Sequence, residues 1–388
     1  MIAAPRRLKF LITATEASAD RLGADLMTDL FEKLDGAVDF VGVGGARMAA
    51  AGLNRLFDPG EMAVVGAFNA LAVYPLVLRR AREIAELAAR ERPDAAILID
   101  AWGFSLRVAR GIRRLAPGVK LIKYVAPQVW ATRPGRAKTL ARTVDHLLAI
   151  HSFDAPYFEK AGLQTAFVGN PVLSRDFSAA DGPVFRSRQG IDPDAPVLLI
   201  LPGSRAGEIR RLSPPFGEAA KLLKDRIPDL AIIVAAAEPV EAQVRAAIAQ
   251  WPTPATIITG EPDRYSAMKA ATVALACSGT VTTELALAGV PFVVGYKVDP
   301  FTYEIARRLI RTRWITLINV AASARVAPEF IQKACAGPPL ADALLALIVD
   351  PTARERQVAD QFAAIERMRG PVVLNFPAAT VLDVVGLS

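Results

Sequence analysis

The chain has 388 residues, of which 52% are hydrophobic and 7% aromatic, and its formal net charge is +7 at pH 7. The length predicts two domains, and the hydrophobic content excludes a disordered protein. The positive charge favours an anionic partner, but no basic run is interleaved with aromatic residues, so nucleic acid is not expected as that partner.

The first half of the chain alternates short apolar runs with longer stretches rich in Ala, Leu, Arg and Glu, which is the pattern of βα units on a parallel sheet. Helices are predicted between the runs, for example over 20–34 and 74–92. The predicted strands are 8–14, 39–44, 94–100, 120–126, 146–150 and 165–169. We therefore expect an N-terminal Rossmann-like domain over 1–172.

One uncharged segment in this domain, 62–78, needs a separate explanation. It has 17 residues and contains Pro75, whereas a membrane-spanning helix needs about 20 apolar residues, so a span is not expected. Two interpretations stay open: a core helix, or a patch in the membrane interface with basic side chains near the headgroups. Those side chains would be Arg79, Arg80 and Arg82.

A polar, Pro- and Gly-rich stretch at 171–195 is typical of a linker, and a second series of βα units follows it. The predicted strands are 196–203, 230–237, 255–260, 273–279 and 291–297, and the predicted helices are roughly 212–226, 240–250, 263–271 and 280–289. Only helices are predicted after about residue 300. The second Rossmann-like domain is expected over 190–345, followed by a helical tail, 346–388, that braces the first domain.

Ligands of open parallel sheets bind beyond the carboxyl ends of the strands, so the residues that follow each strand are candidates for a site. Glu16, Ser18 and Asp20 follow the first strand without the GxGxxG spacing of a dinucleotide site, and Asp100 follows the third. Asp100 and Glu16 are carboxylates that could deprotonate an incoming hydroxyl. The alternatives are that Glu16 and Asp20 favour a helix start and that Asp100 begins a turn.

In the second domain two loops lead directly into helices, around Arg205 and at 278–280. Both would supply free N–H groups, and Arg205 adds a positive charge, which together suit a diphosphate. Glu284 lies one turn into the second helix, where its carboxylate could accept both hydroxyls of a ribose. The alternatives are an Arg205–Glu208 ion pair and an ordinary helix cap. We therefore predict glycosyl transfer, with a sugar nucleotide bound to one domain and an alcohol acceptor bound to the other, across a cleft.

At these residues the chain resembles the lipid-A-disaccharide synthase family, as a divergent member. The resemblance is densest in seven blocks, 16–20, 40–52, 62–66, 124–131, 198–209, 277–287 and 290–302. It implies a GT-B fold, with two Rossmann-like parallel-sheet domains facing across a cleft and C-terminal helices crossing back. It also implies an inverting, metal-independent transfer of an acylated glucosamine from a UDP carrier to a lipid-linked sugar phosphate, which forms the lipid A disaccharide.

The resemblance also implies roles for individual residues. Asp100 is the expected catalytic base, with Glu16 beside it, and no cofactor or metal is expected. Substrate contacts are expected at Ser18, Asp20, Gln128, Trp130, Arg133 and Asn170. Nucleotide contacts are expected at Gly203, Ser204, Arg205, Glu208, Gly260, Ser278, Gly279, Thr280, Thr283, Glu284 and Asn319.

The chain departs from the family pattern mainly on the acceptor side. The family's Gly-Glu-x-Ser-Gly-Asp is TEASAD at 15–20, and its Asp-x-Pro-Asp-Phe-Asn is DAWGFS at 100–105. Its Trp-Ala-Trp-Arg is WATR at 130–133, and its Gly-His-Pro is GNP at 169–171. Three alternatives therefore stay open: a paralogous UDP-sugar-dependent glycosyltransferase with another lipid acceptor, a non-catalytic lipid- or nucleotide-binding descendant, and a non-hydrolysing epimerase of the same architecture.

The expected partners are the UDP-activated acylated sugar, an acylated sugar phosphate or other lipid acceptor, and an anionic membrane surface, with a homodimer left open. The expected location is cytoplasmic, peripheral on the inner face of the inner membrane. A basic segment at 301–317 supports this expectation, because a basic residue near an anionic leaflet contributes about 1 kcal/mol. Its arginines are Arg307, Arg308, Arg311 and Arg313.

Overall fold

The structure, a computed structural model, describes residues 7–63, 70–129, 135–309, 312–370 and 376–387. The chain folds into two compact units. The first comprises Met1–Pro171 and Gly370–Ser388, and the second comprises Val172–Arg369. Each unit is a parallel β-sheet with helices packed on both of its faces, as the alternation of strands and helices predicts.

Among the described residues, the first unit contains a seven-stranded sheet of order β3-β2-β1-β4-β5-β6-β7, and every pairing is parallel. Its strands are β1 Leu8–Thr13, β2 Val38–Val43, β3 Leu53–Arg55, β4 Ala95–Ile99, β5 Lys120–Tyr124, β6 His146–Ala149 and β7 Gln164–Phe167. Its helices are α1 Ala17–Lys33, α2 Ala46–Ala50, α3 Gly60–Ala63, α4 Ala70–Glu91, α5 Trp102–Leu115, α6 Gly135–Ala141, α7 Ala155–Glu159 and α17 Pro377–Val384.

Alternate residues of the central strands in the first unit enter two different cores. Leu11 packs in the core that contains residues of α4 and α5, whereas Phe10 and Ile12 pack in the core that contains residues of α1 and α17. All three side chains are fully buried, and each such burial stabilises the fold by about 1.5–3 kcal/mol. Burial on both faces explains why these strands are nearly continuous apolar runs.

The described part of the second unit contains a six-stranded parallel sheet of order β10-β9-β8-β11-β12-β13. Its strands are β8 Val197–Leu201, β9 Ala231–Ala236, β10 Thr256–Thr259, β11 Val273–Ala276, β12 Phe292–Tyr296 and β13 Glu329–Ile331. Its helices are α8 Gly182–Arg188, α9 Ala206–Arg226, α10 Glu241–Ile248, α11 Glu261–Ala270, α12 Thr280–Leu287, α13 Pro300–Leu309, α14 Leu317–Ala322, α15 Gly337–Val349 and α16 Pro351–Arg369.

Besides the short strands β3 and β13, which the sequence analysis did not predict, two segments differ from the sequence-based expectation. The stretch 171–195, expected to be a linker, contains α8, whose Phe185 is fully buried in a core of the second unit. The expected tail, 346–388, divides between the units. Residues of α16 such as Ile365 pack in the core of the second unit, and only 370–388, with Val381 buried, belongs to the first. Helix α16 packs against α12, α14 and α15 and buries Ala364, Ile365 and Met368 in that core.

Each sheet reverses its strand order at one place, between β1 and β4 in the first unit and between β8 and β11 in the second. At such a switch point the connections leave in opposite directions, so a crevice opens beyond the carboxyl ends of the two central strands. The loops that end there are 14–16 and 100–101 in the first unit, and 202–205 and 277–279 in the second. These four loops carry both expected catalytic carboxylates, Glu16 and Asp100, and the expected nucleotide contacts Gly203, Ser204, Arg205, Ser278 and Gly279.

Candidate functional site

Asp100 follows β4 directly, at the switch point of the first unit. Its backbone is left-handed, with φ of 47°, and so is that of Ala101, with φ of 43°. Non-glycine residues in this region cost about 1–3 kcal/mol and occur where the surrounding structure holds them. The side chain of Asp100 is half-buried, and within the described part of the chain its carboxylate forms no hydrogen bond or ion pair.

Lys123 holds this left-handed turn. It lies on β5 beside Leu98 and is 2% exposed. Its ammonium group donates hydrogen bonds to the carbonyl oxygens of Leu98, Asp100 and Tyr124 at 3.1, 2.6 and 3.1 Å, which uses all three of its N–H donors. Burial lowers the pKa of Lys123 to about 7, and the negative charge of Asp100 opposes that shift. The sequence analysis missed Lys123, although a lysine inside the apolar run LIKYVA was a signal.

The loop after β1 presents two of its three polar residues to solvent. Glu16 and Ser18 are exposed, but Asp20 is 7% exposed. The carboxylate of Asp20 accepts hydrogen bonds from three N–H groups at the start of α2, at 2.6, 3.0 and 3.2 Å. Asp20 therefore caps α2, a structural role that the sequence did not indicate, and a substrate contact would have to share its carboxylate with these three N–H groups.

The other substrate-binding candidates of the first unit follow β5 and β7. Gln128 is exposed, and Asn170 is 7% exposed. Trp130 and Arg133 lie outside the described residues. His151 follows β6 and is 5% exposed. Burial lowers its pKa to about 4, so its imidazole is neutral at pH 7.

In the second unit, Glu208 shapes the loop between β8 and α9. Its Oε2 accepts the N–H groups of Ser204 and Arg205 at 3.0 and 3.3 Å, so these two N–H groups are not available to a phosphate as expected. A Cβ on Gly203 would lie 2.5 Å from the same oxygen, and its φ is 120°, so this position requires glycine. The guanidinium of Arg205 remains 65% exposed, 3.5 Å from Glu208 Oε1.

The start of α12, at the carboxyl end of β11, is open. Its N-cap is Gly279, and no described side chain caps it. Gly279 and Thr280 are exposed, and a Cβ added to Gly279 would meet no atom within 4 Å. The unsatisfied N–H groups of a first helical turn carry partial positive charge and attract anions. Ser278 is positioned by its hydroxyl, which donates to the carbonyl of Ile315 at 3.1 Å.

Glu284 lies one turn further along α12 and is 3% exposed. Its carboxylate forms ion pairs with Arg175 and with Arg264, the second at 3.5 Å. The ribose contact expected of Glu284 would therefore involve a carboxylate that already holds two arginines. Its neighbour Thr283 is 1% exposed, and its hydroxyl has no partner among the described residues. Gly260 begins α11 with φ of 83°, four residues before Arg264.

Asn319 is fully buried, which corrects the expected nucleotide contact. Its Nδ2 donates to the carbonyl of Ala327 at 2.8 Å and to Glu329 Oε1 at 2.9 Å. Its Oδ1 accepts the N–H groups of Val326 and Ala327 at 2.8 and 2.9 Å. Because its amide is fully hydrogen-bonded within the protein, Asn319 supports the fold around α14. Within the described ranges, no group of three or more His, Cys, Asp or Glu side chains could hold a metal ion.

Sequence comparisons match nearly the whole chain. A family model described as "Lipid-A-disaccharide synthetase" matches residues 10–375. The lipid-A-disaccharide synthase of Rhodospirillum centenum is 44% identical over 351 residues, which covers 90% of this chain and 87% of the relative. The enzyme of the same name from Paramagnetospirillum magneticum is 42% identical over 359 residues, 92% of each chain.

Structural comparisons identify the fold. A UDP-N-acetylglucosamine 2-epimerase described as putative, from Listeria monocytogenes, has a TM-score of 0.64 at 12% identity and covers 98% of this chain and 96% of its own. The Neisseria meningitidis UDP-GlcNAc 2-epimerase bound to UDP-GlcNAc has a TM-score of 0.59 at 10% identity, with 92% and 98% covered. Acinetobacter baumannii MurG has a TM-score of 0.54 at 16% identity, with 98% of both chains covered. At these identities the likeness shows the GT-B fold alone.

Proposed function

The chain belongs to the lipid-A-disaccharide synthase family and is a glycosyltransferase of lipid A disaccharide formation, and we propose that Asp100, Arg205 and the start of α12 perform its chemistry. Asp100 carries this proposal, because a half-buried carboxylate without a partner among the described residues lies at the switch point of the first unit. The sequence alternative of an epimerase loses its support, since the curated relatives that share 42–44% identity with this chain are synthases.

The second unit is proposed to bind the UDP carrier. Its switch point brings together the exposed guanidinium of Arg205 and the open start of α12, at Gly279 and Thr280. A guanidinium and free helical N–H groups are complementary to a diphosphate, and each charge-assisted hydrogen bond contributes about 1.5–3 kcal/mol. The buried pairs of Glu284 with Arg175 and Arg264 fix the side chains around the next turn of α12.

The first unit is proposed to supply the general base. Asp100 accepts the proton of the acceptor's hydroxyl as that oxygen forms a bond to the anomeric carbon of the donor sugar. The bond from the anomeric carbon to UDP breaks, UDP keeps the electron pair, and the configuration is inverted. Arg205 and the start of α12 stabilise the negative charge that develops on the departing diphosphate. Glu16, an exposed carboxylate after β1, is the second candidate for the base.

We also propose that the protein binds an anionic membrane surface peripherally, since its substrates carry acyl chains. Most of the apolar segment 62–78 lies outside the residues whose side chains are described, but Tyr74 and Leu78, one turn apart on α4, are 47% and 44% exposed. Arg79 and Arg82 beside them are exposed at 63% and 75%. No helix in the described ranges is both long enough and apolar enough to cross a bilayer.

Four of the arginines expected at the headgroups form ion pairs within the protein. Arg79 pairs with Glu83 at 3.6 Å and Arg82 with Glu86 at 2.8 Å, both on the exposed surface of α4. Arg80 is only 17% exposed and forms ion pairs with Glu61 and Glu83. Arg307, on α13, is ion-paired with Glu304 at 2.6 Å. Arg308 and Arg313 are exposed and remain available to a bilayer, whereas Arg311 lies outside the described residues.

The function is tested by reconstitution with purified protein. The UDP-activated diacylglucosamine and diacylglucosamine 1-phosphate are expected to yield the disaccharide and UDP in equal amounts. UDP release that is matched by a different glycolipid would contradict the acceptor assignment. Absence of UDP release with this donor would contradict the proposed reaction.

A further inference from the structure

A cavity in the first unit is lined by four arginines and two threonines. Its volume is about 460 Å³, within the range of about 300–1,000 Å³ that is typical of small-molecule sites. The lining residues are Arg110, Arg113 and Arg114 of α5, Arg142 after α6, and Thr139 and Thr143. We refer to it as the arginine pocket.

The arginine pocket has an excess of positive charge. Arg113 donates to Asp145 Oδ1 at 2.8 Å, and the other oxygen of that carboxylate accepts the N–H of Leu121 at 2.8 Å. Within the described part of the chain, the other three guanidinium groups form no ion pair. Four positive charges therefore face one carboxylate. The carbonyl end of α5 adds only about half a negative charge, so the pocket keeps an excess of positive charge, carried by the exposed Arg110, Arg114 and Arg142, that attracts anions.

The donors of the pocket select the chemistry of that anion. The hydroxyls of Thr139 and Thr143 donate to backbone carbonyls at 3.2 and 2.8 Å, so they do not offer their protons to a ligand. The guanidinium groups remain, and their planar pairs of N–H donors match phosphate oxygens bidentately. The structure therefore favours a phosphate group over a neutral or purely apolar ligand.

The arginine pocket is separate from the switch point. Helix α5 begins two residues after Asp100, and Arg110 and Arg114 lie about 12 and 18 Å along it at 1.5 Å per residue. Asp145 directly precedes β6, so the pocket lies at the amino ends of the strands, opposite the edge that carries Asp100. The exposed Tyr74 contacts Arg107, about 10 Å of helix from Arg114.

We propose that the arginine pocket binds a phosphate group, at a site independent of the donor and acceptor sites. Arg107, which contacts Tyr74, lies near the middle of α5 and about 5 Å of helix from Arg110. The phosphate can therefore belong to a soluble ligand or to a lipid headgroup, and the experiment below distinguishes these two sources. The pocket joins α5, the helix that follows Asp100, to Arg142 directly after α6, so an occupied pocket would crosslink α5 to the end of α6.

Calorimetric titration with pyrophosphate at low ionic strength tests this proposal. The Arg205→Ala protein is the starting point, so that the proposed diphosphate contact of the second unit does not contribute. Adding Arg110→Ala and Arg114→Ala is expected to weaken pyrophosphate binding at least about tenfold, since one charge-assisted contact is worth about that factor. Arg142 lies outside both α5 and α6, and the single variant Arg142→Ala is expected to weaken pyrophosphate binding by about the same factor.

The matched control is Arg188→Ala with Arg226→Ala, which removes the same charge from exposed ion pairs of the second unit. Pyrophosphate binding by this control is expected to change by less than about twofold.

Co-sedimentation with vesicles containing phosphatidylglycerol distinguishes the source of the phosphate. Vesicle binding that needs Arg110 and Arg114, without pyrophosphate binding, would keep the site and assign it to a lipid headgroup. Pyrophosphate and vesicle binding that are both unchanged in the pocket variants would overturn the proposal.

Discussion

The ammonium of Lys123 donates a hydrogen bond of 2.6 Å to the backbone carbonyl of Asp100. The lysine is 2% exposed, and the aspartate has a left-handed backbone. A buried ammonium is costly unless its donors are satisfied, and here three carbonyls satisfy them. The hydrogen bond therefore ties the turn that carries the proposed base to a lysine that is buried in the sheet.

Lys123→Met tests whether this link positions Asp100. The variant leaves three carbonyls without their donor, so we expect the turn to relax and turnover to fall at least about tenfold, the effect of about 1.4 kcal/mol on the barrier. The Michaelis constant for the UDP donor is expected to stay constant. Lys120→Met, an exposed lysine on the same strand, is the control. Wild-type turnover in Lys123→Met would show that the link has no catalytic consequence.

The same lysine predicts a pH dependence of stability. Its pKa in the folded protein is about 7, against an ordinary value of 10.5. Between these values the unfolded chain binds a proton that the folded chain does not, so the free energy of unfolding rises with pH. From pH 7 to pH 9, the free energy of unfolding of wild type is expected to rise by about 2 kcal/mol more than that of Lys123→Met. Urea unfolding of both proteins at the two pH values measures this difference. An equal increment in both proteins would contradict the shifted pKa.

Asp100→Asn removes the proposed base while keeping the shape of the side chain. Turnover is expected to fall at least about 100-fold, as for loss of a general base, with UDP affinity nearly unchanged. Initial rates of UDP release and calorimetry with UDP measure the two quantities. If Asp100→Asn remains active, Glu16→Gln becomes the decisive variant, because Glu16 is the other candidate carboxylate.

Arg205→Ala tests the donor site. The guanidinium is expected to contact the diphosphate of UDP, so its loss should weaken UDP binding by about 1.5–3 kcal/mol in a calorimetric titration. Arg226→Ala is the matched control, since Arg226 is the last residue of the same helix, α9. Equal UDP affinity in the two variants would exclude Arg205 from the donor site.

Tyr74→Ser tests the proposed membrane contact. Its exposed ring is expected to enter the lipid interface, so the variant should co-sediment less with anionic vesicles than wild type. Tyr157→Ser is a close control, because both tyrosines are 47% exposed and lie in the first unit. Binding of wild type is expected to decrease with salt and to be weak on neutral vesicles. Identical sedimentation of the two variants would count against the exposed stripe of α4.

The sequence by itself determined the two sheets and the loops that carry the candidate site. Central strands such as β4 and β8 are buried on both faces, so they appear in the sequence as unbroken apolar runs that can be located without a structure. The short edge strands β3 and β13, each of three residues with at most one buried, carry no such signal and were missed. Because ligands bind beyond the carboxyl ends of parallel strands, locating the strands also located the loops.

Only the tertiary structure decided which side chains in those loops are available. Asp20 and Asp100 both follow a strand and look alike in the sequence, but Asp20 is used by α2, 25 residues away, whereas Asp100 has no such partner among the described residues. Asn319 is likewise fully used, and Lys123 acquires its role from carbonyls on two strands. The hydrogen-bond partners of these side chains come from segments that are distant along the chain. The spacing of apolar residues in the sequence indicates which positions are buried, but it does not indicate which groups form hydrogen bonds. Which of these carboxylates is available for chemistry therefore becomes visible only in the folded chain, where Asp20 is bound to α2 and the carboxylate of Asp100 is not bound by any described residue.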